Sequence, residues 1–400
     1  MKVLLLENIH PVAVEQLEAR GFEVELRSGS LSEEELLATL PGVHLLGIRS
    51  NTTLTEKVLD AATDLLAVGC FCIGTNQVDL AAATQRGIAV FNAPYSNTRS
   101  VVELVIGEII ALARRLHEKS DKMHQGVWDK SAKGSHEVRG RTLGIVGYGN
   151  IGTQLSNLAE SMGMRVVFFD TADRPAHGNA RRMSSLDELL ATSDVVSLHI
   201  DGRPGNAGLF GAAQFEAMKP RSFFINASRG MVVDDLALRD NLLSGHLAGA
   251  ALDVFPVEPK AQGDAFESVL RDIPNVILTP HVGGSTQEAQ EEIGWFVSGK
   301  LGNYALEGST ALSVNLPAVA APALTPGTYR LGFLHRNVPG VLAGVNALLA
   351  EQGDNVTGQL LATAGEVGYV VTDAAAPLSE GSLERLRASE QCLWVRTWQA

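Results

Sequence analysis

Residues 142–170 read TLGIVGYGNIGTQLSNLAESMGMRVVFFD, and the fold of the chain turns on them. An apolar strand, TLGIV, runs into Gly147-Tyr148-Gly149-Asn150-Ile151-Gly152, a GxGxxG that opens the helical pattern IGTQLSNLAESMG. Gly147 permits a tight turn, Gly149 lets backbone amides approach a pyrophosphate, and Gly152 lets helix and strand pack closely. The amides of Asn150 and Ile151, at the helix N-terminus, then face the phosphates. The next strand, RVVFFD, ends at Asp170, 18 residues beyond the last glycine. A carboxylate there accepts hydrogen bonds from ribose hydroxyls and repels a 2′-phosphate, which favours NAD over NADP. Arg174, close by, weakens that preference slightly.

Outward from this unit the alternation continues. DVVSLHI, SFFINAS, LAGAALDVF and NVILTPH are apolar runs bounded by turn or helix signals, the pattern of strands buried on both faces. Upstream, KVLLLEN, FEVELRS, HLLGIRS, LLAVGC and IAVFN alternate with helical patterns, which predicts a second, mostly parallel α/β sheet. A long helix joins the two series. Ser100 and Glu103 predict a capping box at its start, and Val102, Val105, Ile109, Leu112 and Leu116 keep the helical period. After His281, STQEAQEEIGWFVSGKLGNYALEG reads as a helix crossing back to the first series, and NLPAVAAPALTPG as a linker. The remainder has the order βαββαβ of a ferredoxin-like module and holds no cluster of catalytic residue types.

Four hundred residues exceed one ordinary core and divide into two or three domains. With 45% hydrophobic and 19% charged residues the chain reads as soluble and globular, not disordered. A net charge of −13 argues against nucleic acid or an anionic membrane as partner, and requires a local basic pocket for any anionic substrate. The apolar run in MKVLLLENIHP is too short for a signal peptide and reads as a buried first strand. The longest apolar stretch, Val101 to Leu116, is broken by Glu103, Glu108, Arg114 and Arg115, so no membrane span is expected. Cys70, Cys72 and Cys392 lack a second Cys-x-Cys pair; no metal site is expected, and the odd count fits a reducing cytoplasm.

Three polar residues follow strands of the second series, where an open parallel sheet places its ligands: Arg229 after FFINAS, Glu258 after ALDVF, His281 after VILTP. Hydride transfer on a hydroxy acid needs a cation for the carboxylate, a base for the hydroxyl proton, and a group that tunes the base. Arginine's planar fork suits the first task, histidine's pKa the second, and a glutamate beside the imidazole the third. Singly, each has an ordinary structural role, as a surface ion pair, a turn residue or a helix cap. Three such residues after sheet strands point to a site.

NASRGMVVD, ALDVFPVEP and LTPHVGGSTQEAQ together resemble the signature series of the D-isomer-specific 2-hydroxyacid dehydrogenases. Within that family, GCFCIGTNQVDL (69–80) and FNAPYSNTRSVVELVIGE (91–108) resemble the members that act on D-3-phosphoglycerate and carry a C-terminal ACT domain. The resemblance implies an α/β chain of doubly wound parallel sheets: a Rossmann-like NAD domain (98–283) and a discontinuous flavodoxin-like substrate domain (1–97 and 284–318). A linker (319–327) and a ferredoxin-like ACT domain (328–400) complete it. Arg229, Glu258 and His281 match the substrate-orienting arginine, the histidine's partner and the general acid/base. Asp253 matches the residue holding the nicotinamide carboxamide, with Ala227 and Gly284 in the cofactor set.

Arg49 and Ser50 match anion-binding positions over the substrate, joined by Asn97 and, from a neighbouring subunit, Lys130; Arg27 is a weaker candidate cation. Asn51 stands where relatives have a second arginine, and Asp201 and Asn206 where they show His-Val-Pro and a threonine or serine. His335, Asn337 and Asn355 match positions that hold L-serine at a pair of ACT domains; Val338 stands where some relatives have a basic residue. The implied activity is NAD-dependent oxidation of 3-phosphoglycerate at the entry to serine synthesis, by a serine-inhibited homotetramer with 2-oxoglutarate reduction as a side activity. The competing readings are a glycerate or lactate enzyme of the same family, and a non-catalytic NAD-sensing protein.

Overall fold

The five apolar runs of the first hundred residues form β1 (Lys2–Leu5), β2 (Glu23–Leu26), β3 (Leu45–Ile48), β4 (Ala67–Cys70) and β5 (Ala89–Asn92). They pair in parallel in the flavodoxin-like order β2-β1-β3-β4-β5. Every residue of β3, β4 and β5 is buried, because helices cover both faces and leave no solvent side for polar alternation. The computed structural model describes residues 1–259 and 263–399. These form two units, Met1–Ser96 with the chain from Gln290 onward, and Asn97–Ala289. The Gln287–Glu307 helix contributes Ile293, Val297, Leu301 and Tyr304 to the apolar core that holds Val3, Leu5, Leu45 and Phe91.

The second unit is built on β6 (Thr142–Val146), β7 (Arg165–Phe169), β8 (Arg181–Arg182), β9 (Val195–Leu198), β10 (Phe223–Asn226), β11 (Gly249–Leu252) and β12 (Val276–Leu278). All are parallel, in the order β12-β11-β10-β9-β6-β7-β8, a Rossmann-like doubly wound sheet. Six of these strands are the apolar runs of the sequence. The seventh, β8, is two exposed arginines at the sheet edge and carries no apolar signal. The long helix spans Thr98–Arg114 and packs Val101, Val102, Val105, Ile109 and Leu112 into the core.

The capping box expected at Ser100 and Glu103 does not form. The helix starts three residues earlier than that box requires, with Asn97 at the N-cap, so Ser100 already lies in its first turn. The Ser100 hydroxyl instead lies 2.8 Å from that of Thr286, and Glu103 pairs with Arg99 at 2.6 Å. Arg115, at φ +52°, ends the helix, and a shorter one, Leu116–His124, follows. No helix among the described residues is long and apolar enough to cross a membrane.

The C-terminal module has β13 (Tyr329–Arg336), β14 (Val356–Ala364), β15 (Val367–Ala374) and β16 (Cys392–Gln399), with helices Val341–Glu351 and Glu380–Arg387. Its antiparallel order β14-β15-β13-β16 is ferredoxin-like. One side of this sheet joins the first unit's core through Leu334, Tyr369 and Val371. Polar anchors fix the docking. Trp398 donates its indole N–H to the Ala305 carbonyl at 2.9 Å, and Tyr369 its hydroxyl to Gly308 at 2.9 Å. Buried Arg330 pairs with Asp373 and donates at 2.8 Å to the carbonyls of both Glu307 and Pro322. The stretch read as a linker is therefore partly tied down, since Val319 is buried and exchanges hydrogen bonds with Thr310.

Trp398→Ala would remove both a packed indole and the Ala305 hydrogen bond, at a cost of about 3–5 kcal/mol. The expected result is a lower urea midpoint and faster protease cleavage within 319–327; an unchanged midpoint would show that the indole contributes little to the docking.

Candidate active site

The turn after β6 is held tightly. Gly147 takes φ +93°, and a Cβ there would overlap the His199 carbonyl, so no other residue fits without moving the backbone. A Cβ at Gly152 would overlap the Gly147 carbonyl. At Gly149, by contrast, a Cβ would have nothing within 4 Å, so the backbone amides opening the Asn150–Ser161 helix have space in front of them. Tyr148 anchors the turn from beneath, stacked on Phe168 at 3.8 Å with its hydroxyl 3.0 Å from Ser156. The Asp170 carboxylate accepts from the amides of Tyr148 and Ala172, each at 2.8 Å, and Arg174 lies 3.9 Å away. Free space before helix amides, with an oriented carboxylate beside it, fits a dinucleotide with unphosphorylated ribose.

Asp253, one residue beyond β11, ties down the exit of β12. It accepts from the Thr279 hydroxyl at 2.6 Å and from the amides of Val282 and Gly283 at 2.8 Å each. His281, inside that braced segment, takes φ +53°. Its Nδ1 lies 2.8 Å from Glu258 Oε2, and the other Glu258 oxygen accepts from the Phe255 amide at 3.1 Å. The Glu258 hydrogen bond raises the His281 pKa above its ordinary value, against opposing desolvation and the cationic Arg229. Burial works against the Glu258 charge, yet the bonds from His281 and Phe255 outweigh it and lower the carboxyl pKa.

Arg229 reaches this pair through a close approach of two loops. A Cβ on Gly230 would overlap the Phe255 carbonyl, so only glycine lets the segment after β10 lie against the segment after β11. Arg229 is near enough to bias both Glu258 and His281 electrostatically. Beside it the 201–206 loop is sewn to itself: Asp201 pairs with Arg203 at 2.5 Å, and Asn206 donates to Asp201 at 2.9 Å. Ala227 lies at the same sheet edge, immediately after β10. Asn97 and Gly284 are neighbours, since a Cβ on Gly284 would fall 2.5 Å from the Asn97 amide nitrogen.

The remaining candidates are dispersed. Arg49 and Ser50 belong to the first unit, after β3, while Lys130 is an exposed residue of the second with no ion-pair partner among the described residues. Arg27 is committed to Glu25 at 2.7 Å, which makes it a poor free cation. In the C-terminal module His335 is buried, with Nδ1 2.8 Å from the Arg336 carbonyl and Nε2 without a partner. Asn337 donates to Gly365 at 3.1 Å. His335 stands opposite Gly368 at one end of β15 and Val356 opposite Ala374 at the other, so Asn355 lies roughly 20 Å from His335 along the sheet. One chain does not bring these three together.

Sequence reading missed Glu108. It lies on the core face of the Thr98–Arg114 helix, only 4% exposed, and neither carboxyl oxygen has a hydrogen-bond partner. Burial, helped by the negative charge of Asp253, pushes its pKa up to about 8. A carboxylate on a helix otherwise reads as a solvated position, and only the alignment with Val101, Val105 and Leu112 hinted otherwise.

With this geometry in view, the relatives are informative. The family model described as "D-isomer specific 2-hydroxyacid dehydrogenase, NAD binding domain" matches residues 106–283, and an "AHAS small subunit-like ACT domain" matches 331–387. The D-3-phosphoglycerate dehydrogenase of Escherichia coli K12 is 52% identical over 391 residues, 97% of this chain and 95% of that protein. The chain belongs to the D-isomer-specific 2-hydroxyacid dehydrogenase family. A Dictyostelium discoideum enzyme of the same name is 48% identical over 95% of this chain and 93% of its own length. The crystal structure of Aquifex aeolicus D-lactate dehydrogenase with NAD and lactic acid superimposes with a TM-score of 0.66, at 26% identity, covering 76% of this chain and 95% of that one. The dehydrogenase is thus an NAD-dependent oxidoreductase of doubly wound α/β fold with a C-terminal ACT domain.

Two titrations test the electrostatics. Glu258→Gln keeps the shape but removes the charge that favours imidazolium, so the His281 pKa should fall, read by NMR. A pKa that stays put would show that the pair is not coupled. Glu108 keeps its proton in the folded chain from the ordinary 4.5 to about 8, whereas the unfolded chain loses it, so this residue's contribution falls as pH rises through that window. Glu108→Gln should therefore melt higher than the parent near the upper limit, with the difference shrinking towards the lower one. A gain independent of pH would contradict this account.

Proposed function

We propose that this dehydrogenase oxidises D-3-phosphoglycerate to 3-phosphohydroxypyruvate, at the start of L-serine synthesis in the cytoplasm. The carrying observation is the 2.8 Å hydrogen bond between His281 Nδ1 and Glu258. It leaves Nε2 as the ring nitrogen available to a substrate, on an imidazole whose affinity for a proton is raised. Relatives named D-3-phosphoglycerate dehydrogenase, about half identical over nearly the whole chain, support the substrate.

In this reading the Arg229 guanidinium binds the substrate carboxylate and fixes the C2 hydroxyl towards His281. Nε2 takes the hydroxyl proton as C2 gives up its hydride, and Glu258 stabilises the imidazolium that forms. Bound NAD supplies the hydride acceptor. Gly147, Gly149, Asn150, Ile151 and Gly152 would hold its pyrophosphate, Asp170 its ribose hydroxyls, and Asp253 with Ala227 and Gly284 its nicotinamide end. Arg49, Ser50 and Asn97 receive the remainder of the substrate, with Lys130 from a neighbouring subunit adding a cation. Reduction of 2-oxoglutarate is a side activity by the same groups. L-Serine inhibits by binding His335 and Asn337 of one module and Asn355 of another. Their separation within a single chain supports a site shared between copies, and with it a homotetramer.

His281→Ala should lose turnover by on the order of a hundredfold or more while still quenching NADH fluorescence on binding; retained turnover would break the mechanism. In a panel of 2-hydroxy acids, kcat/KM should favour 3-phosphoglycerate over glycerate and lactate, and saturating L-serine should lower activity. Preference for glycerate or lactate would assign the chain to another branch of the family.

A further inference from the structure

The loop after β3 is held by a residue that sequence reading passed over. Glu7 lies two positions beyond β1 and is 7% exposed. It adopts φ +61° and the next residue, Asn8, φ +53°, a pair of left-handed conformations that L side chains rarely take and that need compensation from their surroundings. The compensation is visible. Glu7 Oε1 accepts from the amides of Arg49 (3.1 Å) and Thr52 (2.9 Å), and Oε2 from that of Asn51 (2.9 Å). The Glu7 carbonyl accepts from the Arg49 guanidinium at 3.5 Å. From the other side, buried Gln77 donates its amide to the Arg49 carbonyl at 2.5 Å.

One carboxylate thus consumes three of the four N–H groups of residues 49–52, and one amide fixes the carbonyl between them. Ser50 alone is left out. It is exposed, and neither its amide nor its hydroxyl has a partner among the described residues. Charge-assisted bonds from three amides to one buried carboxylate make a stiff cradle. A loop stiffened so that one residue keeps its donors turned outward is a preformed receptor for an oxyanion.

We propose that Glu7, assisted by Gln77, is a positioning residue that shapes the 49–52 loop to present the Ser50 donors and the Arg49 side chain to the substrate phosphate. This rests on the reading that Arg49 and Ser50 take that phosphate. Glu7 acts through the loop and touches no substrate itself. Asn51 spends its backbone amide on Glu7, as do Arg49 and Thr52, so the donors left for an anion are those of Ser50 and the Arg49 side chain.

Glu7→Gln preserves size but sets an NH₂ against the Asn51 amide. It should raise KM for 3-phosphoglycerate about tenfold or more while kcat stays within about twofold. Turnover of D-glycerate, which lacks the phosphate, should change little, and Glu7→Asp should recover part of the loss. Gln77→Met should raise the same KM, and combined with Glu7→Gln should add less than its separate effect, because both hold one loop. If Glu7→Gln does not fold, Gln77→Met carries the test with the same expected rise. An unchanged KM in these variants, with Arg49→Ala still raising it, would overturn the cradle and leave the phosphate reading standing. An unchanged KM in Arg49→Ala and Ser50→Ala would overturn the phosphate reading itself. A fall in kcat alone, equal for both substrates, would overturn the positioning role.

Discussion

Asn226, Leu252 and Leu278 lie side by side across β10, β11 and β12, in register, and everything the second unit does chemically hangs on that alignment. Parallel strands that end level deliver their following loops to one edge of the sheet. Arg229 comes three residues after the first of these ends, Glu258 six after the second, His281 three after the third. Register alone would bring the loops near one another without fixing their side chains. Two short-range constraints do that. Asp253 fastens the β12 exit to β11 by three hydrogen bonds, and Gly230 admits the β10 exit against the Phe255 backbone. The imidazole is therefore oriented by backbone architecture before any ligand arrives, which lowers the reorganisation needed at reaction.

What could be read from the chain follows from which signals are periodic. The doubly wound sheets were legible because strands buried on both faces need unbroken apolar runs such as LLGI, FFIN and AVGC. The glycine turn was legible because each glycine answers a steric demand at fixed spacing. The two-arginine β8 was not, since an exposed edge strand has no apolar requirement. Ser100 and Glu103 matched the spacing of a capping box, but the helix could begin earlier at Asn97, and tertiary contacts with Thr286 and Arg99 took both side chains. Glu7 and Glu108 were opaque for a shared reason. A buried carboxylate is defined by what surrounds it in space, and one finds three amides while the other finds none.

Those two carboxylates illustrate how an acidic chain handles charge. Glu7 meets three backbone N–H groups in place of water, whereas Glu108 meets none and burial favours its protonated form. The same distinction sorts the cations. Arg27 and Arg203 are spent on adjacent carboxylates, and the buried Arg330 on Asp373 and two carbonyls. Among the described residues the Arg229 guanidinium makes one hydrogen bond, to the Ser228 carbonyl at 2.7 Å, and so keeps most of its fork unpaired. Against a net charge of −13, cations left unspent are what an anionic ligand can use.

The C-terminal module bears on the first sheet through this same economy of contacts. Leu334, Tyr369 and Val371 share one apolar cluster with Val3, Leu5 and Leu45, so the module and the strands β1 and β3 are packed as a single body. Close-packed interiors transmit displacement because they have little room to absorb it. The loop cradled by Glu7 leaves the end of β3, and Glu7 itself leaves the end of β1. A ligand that altered how Leu334, Tyr369 and Val371 pack would bear on the cluster that β1 and β3 share with the module. Regulation at the module would then need no contact with the reacting atoms, since the packing it shares with β1 and β3 lies beneath the loop that carries Arg49 and Ser50.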